Sequence, residues 1–204
     1  MTNAIALKEE KTIISDSTEK QYYTPEEYLI LEETSEEKHE YHHGEITLMT
    51  GGTTNHNILA LTIASFLFTQ LHPEKYQVYI NDVRLWIEDY HRYTYPDVMV
   101  VKGKPVYQGE NKTCITNPLL IVEVLSKSTQ NYDQGDKFDS YRSIADLQEY
   151  ILIDQYRYYV KQFAKNSAGK WVLTDYLGKD ALLSLESLEL SISLENLYQR
   201  VEFE

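Results

Sequence analysis

A chain of 204 residues with 42% hydrophobic side chains is long enough to close one well-buried core and too short to demand two. Its single cysteine, Cys114, excludes an internal disulfide and any zinc site built from several cysteines. A formal net charge of −13 argues against a protein that coats nucleic acid nonspecifically. No basic segment leads into an apolar stretch, and no apolar run reaches the span of a bilayer. The expectation is a soluble cytoplasmic protein with a flexible acidic leader over 1–20 and one domain over 21–204. The acidity is uneven. Residues 1–45 hold four Lys and twelve Asp or Glu, whereas 84–142 hold eight of each sign, which leaves room for a neutral or basic cleft in the middle of the chain.

In chain order, Thr24-Pro25-Glu26-Glu27 is a helix start, with Thr as N-cap, Pro at the first helical position and Glu placed to close a capping box. His39 to Thr50 reads as a hairpin with Gly44 near its turn. Gly51 to Asn55 is a loop, and Ile58, Leu59, Ile63, Phe66, Leu67 and Leu71 fall at helical spacing, so a helix over His56 to Leu71 follows with Asn55 available to cap it. Strand signals then come at Tyr76 to Ile80, Val83 to Glu88 and Tyr93 to Val101, the last open to interruption at Pro96. Pro105 to Pro118 is a loop. A strand over Pro118 to Ser126 leads through the polar turn SKSTQN to a helix from Asp133 to Ala145, and Glu149 to Asp154 is another apolar strand. Tyr158 to Ala164 and Lys170 to Leu177 form a hairpin, and the remainder supplies short strands and a helical turn near Leu194 to Gln199. This order predicts an α/β or α+β domain with a mixed central sheet flanked by helices.

Two of these apolar runs contain a carboxylate where a strand covered on both faces should contain none. Asp97 heads the run Val98 to Val101, and Glu123 lies inside Leu119 to Leu125. An ionised carboxylate held there without a partner costs several kcal/mol, and convergence of both on one cation would meet the requirement for each. Lys137 is the companion group, placed on the following helix with Asp133 and Tyr141 four residues to either side on the same face.

Pro-Asp, then a strand Glu, then a Lys resembles the PD-(D/E)XK nuclease superfamily, and within it the Uma-two family of restriction endonuclease-like proteins. HEYHHGEITLMTGGTTNHNILALTIASFLFTQL is similar to that family's leading strand pair and first core helix, YPDVMVV to its PD strand, LLIVEVLSKSTQNYDQGDKFDSYRSI to its Glu strand and next helix, and EYILID to its closing strand. The resemblance covers roughly 24–200. It implies a restriction endonuclease-like core, a homodimer, and magnesium- or manganese-dependent hydrolysis of DNA phosphodiester bonds. Asp97, Glu123 and the backbone carbonyl of Val124 would supply the metal's oxygen ligands, and Lys137 would orient the water or stabilise charge on the phosphate. Glu40, His56 and Tyr141 would support the site. In the plain superfamily motif the Lys follows Glu by two residues, a position held here by Leu125. The family places it on the next helix, where Lys137 matches, while Lys127 has the strand parity of Glu123 but falls where the chain is turning away.

Structural alternatives stand beside these roles. Asp97 could cap a turn. Glu123 could pair with Arg142 or Lys137 in a salt bridge, and His56 could make ordinary hydrogen bonds at a helix start. Glu45 reads as an exposed hairpin residue. The adjacent His42 and His43 should point to opposite faces of a strand and so should not share a zinc. A catalytically inactive nuclease-fold module that binds a protein or nucleic-acid partner is the alternative to an enzyme.

Overall fold

The computed structural model describes residues 22–126 and 133–203, with the side chains of Asp133 and Gln134 excluded. The leader expected over 1–20, Lys127 and most of the polar turn lie outside the described residues, and so does the expected alignment of Asp133 with Lys137. The first helix, α1 (Pro25–Thr34), starts as its sequence dictates: the Thr24 hydroxyl accepts from the Glu27 amide while the Glu27 carboxylate accepts from the Thr24 amide. Strands β1 (His39–His42) and β2 (Glu45–Leu48) pair antiparallel. Their two-residue turn has φ of 48° at His43 and 94° at Gly44, the doubly left-handed turn whose twist suits a hairpin. The next helix, α2 (Thr54–Gln70), begins before the predicted start, because Thr53 is the N-cap and its hydroxyl accepts from the His56 amide. Asn55 does not cap it. Its side chain instead donates to the Glu202 carbonyl.

Three sheets follow. The central one has six strands in the order β11-β10-β9-β8-β6-β3, formed by β3 (Tyr76–Ile80), β6 (Val98–Lys102), β8 (Leu120–Leu125), β9 (Glu149–Asp154), β10 (Tyr159–Lys165) and β11 (Trp171–Leu177). Within it β8 and β9 run parallel and the other neighbours antiparallel, so the sheet is mixed, as the element order implies. A five-stranded sheet has the order β2-β1-β5-β4-β7, with β4 (Arg84–Ile87), β5 (Arg92–Thr94) and β7 (Cys114–Ile115). The third sheet is the pair β12 (Leu182–Leu185) and β13 (Leu190–Ser193).

The strand predicted over Tyr93 to Val101 is in fact two, and the halves belong to different sheets. Pro96 cannot donate to a ladder, so pairing stops there and the chain crosses from the five-stranded sheet to the central one immediately before Asp97. Likewise the loop predicted over Pro105 to Pro118 contains β7, whose two residues are too few to show alternation. Strand β8 is buried along its whole length. Leu120, Val122 and Val124 pack with Leu59, Ile63 and Leu67 of α2, while Ile121 and Leu125 pack on the opposite side with Tyr141, Leu147 and Tyr150. Burial on both faces is why its apolar residues run without alternation.

The helix predicted from Asp133 to Ala145 is shorter and irregular. It opens as a π-helical turn (Asp133–Lys137) and continues as α3 (Phe138–Tyr141). It then tightens, with Ser143 and Ile144 donating to the carbonyls three residues back, because Gln148 already donates to Leu119 to start the β8–β9 pairing. The last helical turn, α4 (Leu194–Leu197), is capped by Ser193 and packs on α2.

Another buried carboxylate, Glu149, ties the far side of the central sheet together. Glu149 is fully buried and accepts from Gln162 Nε2, from the Ser187 amide and from the Ser187 hydroxyl. Burial raises its pKa above the ordinary 4.5, although these hydrogen bonds pull it back. A carboxyl that holds its proton more tightly folded than unfolded contributes stability that is complete below its unfolded pKa and is lost as pH rises through the folded value. Gln162→Leu removes one donor from Glu149 and the donor to the Ser184 carbonyl. It should destabilise the fold by about 2 kcal/mol at pH 7 and enlarge the loss of stability between pH 4 and pH 7. Urea midpoints at the two pH values measure this, and an identical pH dependence in both proteins would contradict it.

Candidate functional site

At the end of the β6–β8 pair Val98 is opposite Val122, so Asp97, the residue before β6, lies against the Glu123–Val124 end of β8. Asp97 and Glu123 are both buried, with 9% and 5% of their surface exposed. Asp97 Oδ2 accepts from the Val124 amide at 2.7 Å, which pins the segment after Pro96 to the central strand. Glu123 has the strand parity of Ile121 and Leu125, and its Oε1 accepts from Lys137 Nζ at 3.1 Å and from the Tyr141 hydroxyl at 2.7 Å. A carboxylate in the interior is costly unless paired and hydrogen-bonded, and this one is both. Tyr141 is fully buried, and burial first, then the Glu123 charge, pushes its pKa well above its ordinary value. Its hydroxyl therefore keeps its proton and donates throughout the neutral range.

Lys137 is 7% exposed and sits between two acids, because Glu40 Oε1 on β1 lies 3.5 Å from its Nζ. Glu40 also accepts from the Thr94 hydroxyl on β5. The site is thus closed by the five-stranded sheet on one side and by the central sheet on the other. His56, in the first turn of α2, brings Nε2 within 3.2 Å of Asp97 Oδ2. The structure therefore links Glu123, Lys137, Glu40 and Tyr141 in one network and sets His56 against Asp97, and the bond from the Val124 amide to Asp97 places that pair at the same end of β8. Arg142 does not reach Glu123 as one alternative had it. It pairs with Asp139 on its own helix at 3.0 Å. Glu45 is exposed, opposite His42 in the hairpin. The rings of His42 and His43 do not diverge as expected but lie 4.7 Å apart, since His43 has left the strand for the left-handed turn.

Three residues that shape this cluster carried no signal in the sequence. Arg92 is 2% exposed, and its guanidinium donates to the Ser140 hydroxyl at 2.8 Å and to the Asp136 carbonyl at 3.4 Å. Ser140 in turn donates to the Lys137 carbonyl at 2.8 Å. Together they hold the π-helical turn at the height that lets Lys137 reach Glu123. Thr94 performs the same service for Glu40. The contacts of Arg92 and Thr94 join segments 44 to 54 residues apart, which no local periodicity reports.

Among the described residues, no group of three or more His, Cys, Asp or Glu side chains is arranged to hold a metal ion. The carboxylates of Asp97 and Glu123 offer oxygen donors. That set suits a hard cation such as Mg²⁺, which binds through one or two carboxylates and retains several waters. It does not suit structural zinc, which takes four protein ligands.

Tyr141→Phe keeps the ring and removes one of the two donors to Glu123 Oε1. We expect a loss of about 2 kcal/mol, read as a lower urea midpoint at unchanged slope. An unchanged midpoint would mean that the hydroxyl does not support the buried charge.

Comparison with known proteins gives the following. Residues 25–195 match the Uma2 family model, described as "Putative restriction endonuclease". The "Uncharacterized protein sll1609" of Synechocystis is 38% identical over 167 residues, covering 82% of this chain and 94% of its own. From the same organism, the "Uncharacterized protein slr1290" is 34% identical over 180 residues, covering 88% and 93%. A crystal structure described as a putative nuclease belonging to DUF820 from Anabaena variabilis superimposes with a TM-score of 0.74 at 19% identity, covering 88% of this chain and 99% of that one.

Proposed function

Starting from the fact that the chain belongs to the Uma2 family, whose model matches 25–195, we propose that it is a divalent-cation-dependent endonuclease acting on DNA. The observation that carries this reading is the meeting of two buried carboxylates at one end of β8, Glu123 from within the strand and Asp97 through its bond to the Val124 amide, with an ammonium group 3.1 Å from Glu123. Asp97, Glu123 and the Val124 carbonyl would hold Mg²⁺ or Mn²⁺, which when bound supplies charge to polarise the scissile phosphate and acidify the attacking water. The chain's own groups do the rest. Lys137, a fixed donor in a largely dry site, stabilises the negative charge that builds on the phosphoryl oxygens or orients the water for in-line attack. Glu40 holds the Lys137 ammonium from the other side. Tyr141 orients Glu123, and His56 orients Asp97. We further propose a cytoplasmic homodimer, a compartment that suits a single cysteine whose buried thiol is pushed up to about 12.

A second reading is favoured by one observation. Glu123 is already satisfied by Lys137 and Tyr141, so the charges could serve the fold of an inactive module that binds a protein or nucleic-acid partner. The two readings separate on supercoiled plasmid digested with Mg²⁺, with Mn²⁺ and with EDTA, alongside Mn²⁺ titration calorimetry. The enzyme should nick plasmid only with a cation, and Asp97→Asn and Glu123→Gln should lose cation binding and nicking together. Lys137→Met should bind Mn²⁺ at least as tightly as the wild type, because a positive charge is removed beside the acids, yet nick at least 100-fold more slowly. A wild-type protein that neither binds Mn²⁺ nor nicks would decide for the module.

A further inference from the structure

A continuous circuit of contacts runs behind Asp97 through parts of the chain that the proposed chemistry does not use. His56 Nε2 meets Asp97 Oδ2, and the His56 amide donates to Thr53 Oγ1 at 3.1 Å. The Thr53 hydroxyl spends its one proton on Gln155 Oε1. Gln155, 1% exposed and directly after β9, donates through Nε2 to the Leu125 carbonyl at 2.7 Å. Leu125 adjoins Val124, whose amide donates to Asp97 Oδ2 and closes the ring. The polarity is fixed throughout. Turning the Gln155 amide over would set its oxygen against the Leu125 carbonyl, so Oε1 must face Thr53, and Thr53 must present a lone pair to the start of α2.

The other wall of this arrangement is an empty space. A Cβ on Gly52 would lie 2.9 Å from His56 Nδ1 and 3.0 Å from Cγ, whereas one on Gly51 would meet nothing within 4 Å. Neither glycine has the left-handed φ that would itself demand glycine. Gly52 is therefore required for the room it leaves the imidazole, and a methyl there would push the ring away from Asp97.

We propose that Gly52, Thr53 and Gln155 are positioning residues that hold the His56 imidazole in place with Nε2 against Asp97 Oδ2. With Oδ2 engaged by His56 and by Val124, Oδ1 is the oxygen left to meet a cation. None of the three would touch substrate; they act through His56. The consequence for cation binding rests on the nuclease reading. The placement of the ring does not.

The test compares Gly52→Ala with Gly51→Ala, and Thr53→Val with Thr53→Ser. The His56 ring resonances are recorded by NMR in cation-free protein and assigned with a His56→Gln variant. Mn²⁺ affinity is measured by calorimetry and plasmid nicking by initial rates. Gly52→Ala should move the His56 resonances and weaken Mn²⁺ roughly 10-fold or more, the scale of losing a group that orients a ligand, and Gly51→Ala should do neither. Thr53→Val should act like Gly52→Ala and Thr53→Ser should restore the wild-type values. Wild-type resonances and affinity in Gly52→Ala, or equal losses in Gly51→Ala, would overturn the proposal. If Gly52→Ala does not fold, the Thr53 pair decides: a shift in Val that Ser restores supports the proposal, and the same result from both contradicts it. If the wild type itself binds no Mn²⁺, the nuclease reading fails, and the resonances alone decide the positioning role in the same sense.

Discussion

The arrangement depends on one unfavourable fact: a carboxylate on the central strand of a sheet that is covered on both faces. Glu123 is 5% exposed, and removing its partners would leave a charge whose burial costs several kcal/mol. The segment after β8 is shaped to prevent that. Its π-helical turn ends at Lys137 and its short α-helix ends at Tyr141, and both side chains converge on the same oxygen. π-turns are frequent at functional sites, and here the turn has a specific task, to deliver an ammonium and a phenol four residues apart to one acceptor. Arg92, reaching across from the other sheet to Ser140 and Asp136, keeps that turn from relaxing.

The same charge cluster joins the two larger sheets. Lys137 is bracketed by Glu123 of the central sheet and Glu40 of the five-stranded one, while the chain between Thr94 and Val98 passes from one sheet to the other. Pro96 ends one ladder and Asp97 begins the attachment to the next. The Pro-Asp pair is thus a topological junction as well as the source of a carboxylate. Replacing the cluster with apolar groups would suit the core well enough; what it would remove is a concentration of fixed charges where the two sheets meet.

Much of this could be read from the residues, and the reasons differ by case. Glu123 was visible because it interrupts a run of Leu, Ile and Val, and Asp97 because it follows Pro at a strand head. The strands β8 and β9 and the helix α2 were visible because burial on two faces, or on one helical face, leaves a period. Lys137 could be reached only through family resemblance, since strand parity pointed to Leu125 and Lys127. Glu40 and His56 came the same way. Hidden from the sequence were contacts that depend on how sheets meet: Arg92 on Ser140, Thr94 on Glu40, and Gln155 on Thr53. The misplaced cap of α2 has a local cause. Both Thr53 and Asn55 can cap a helix, and the choice is made by distant partners, Gln155 for the first and Glu202 for the second.

The central claim is that the Asp97–Glu123 pair is a cation site and not only a structural ion cluster. Anomalous X-ray diffraction from crystals soaked in Mn²⁺ addresses it most directly. The account predicts one strong manganese peak between the two carboxylates, in reach of the Val124 carbonyl and with Lys137 beside it. Crystals that show no peak there, with Lys137 still bonded to Glu123 at saturating Mn²⁺, would contradict it.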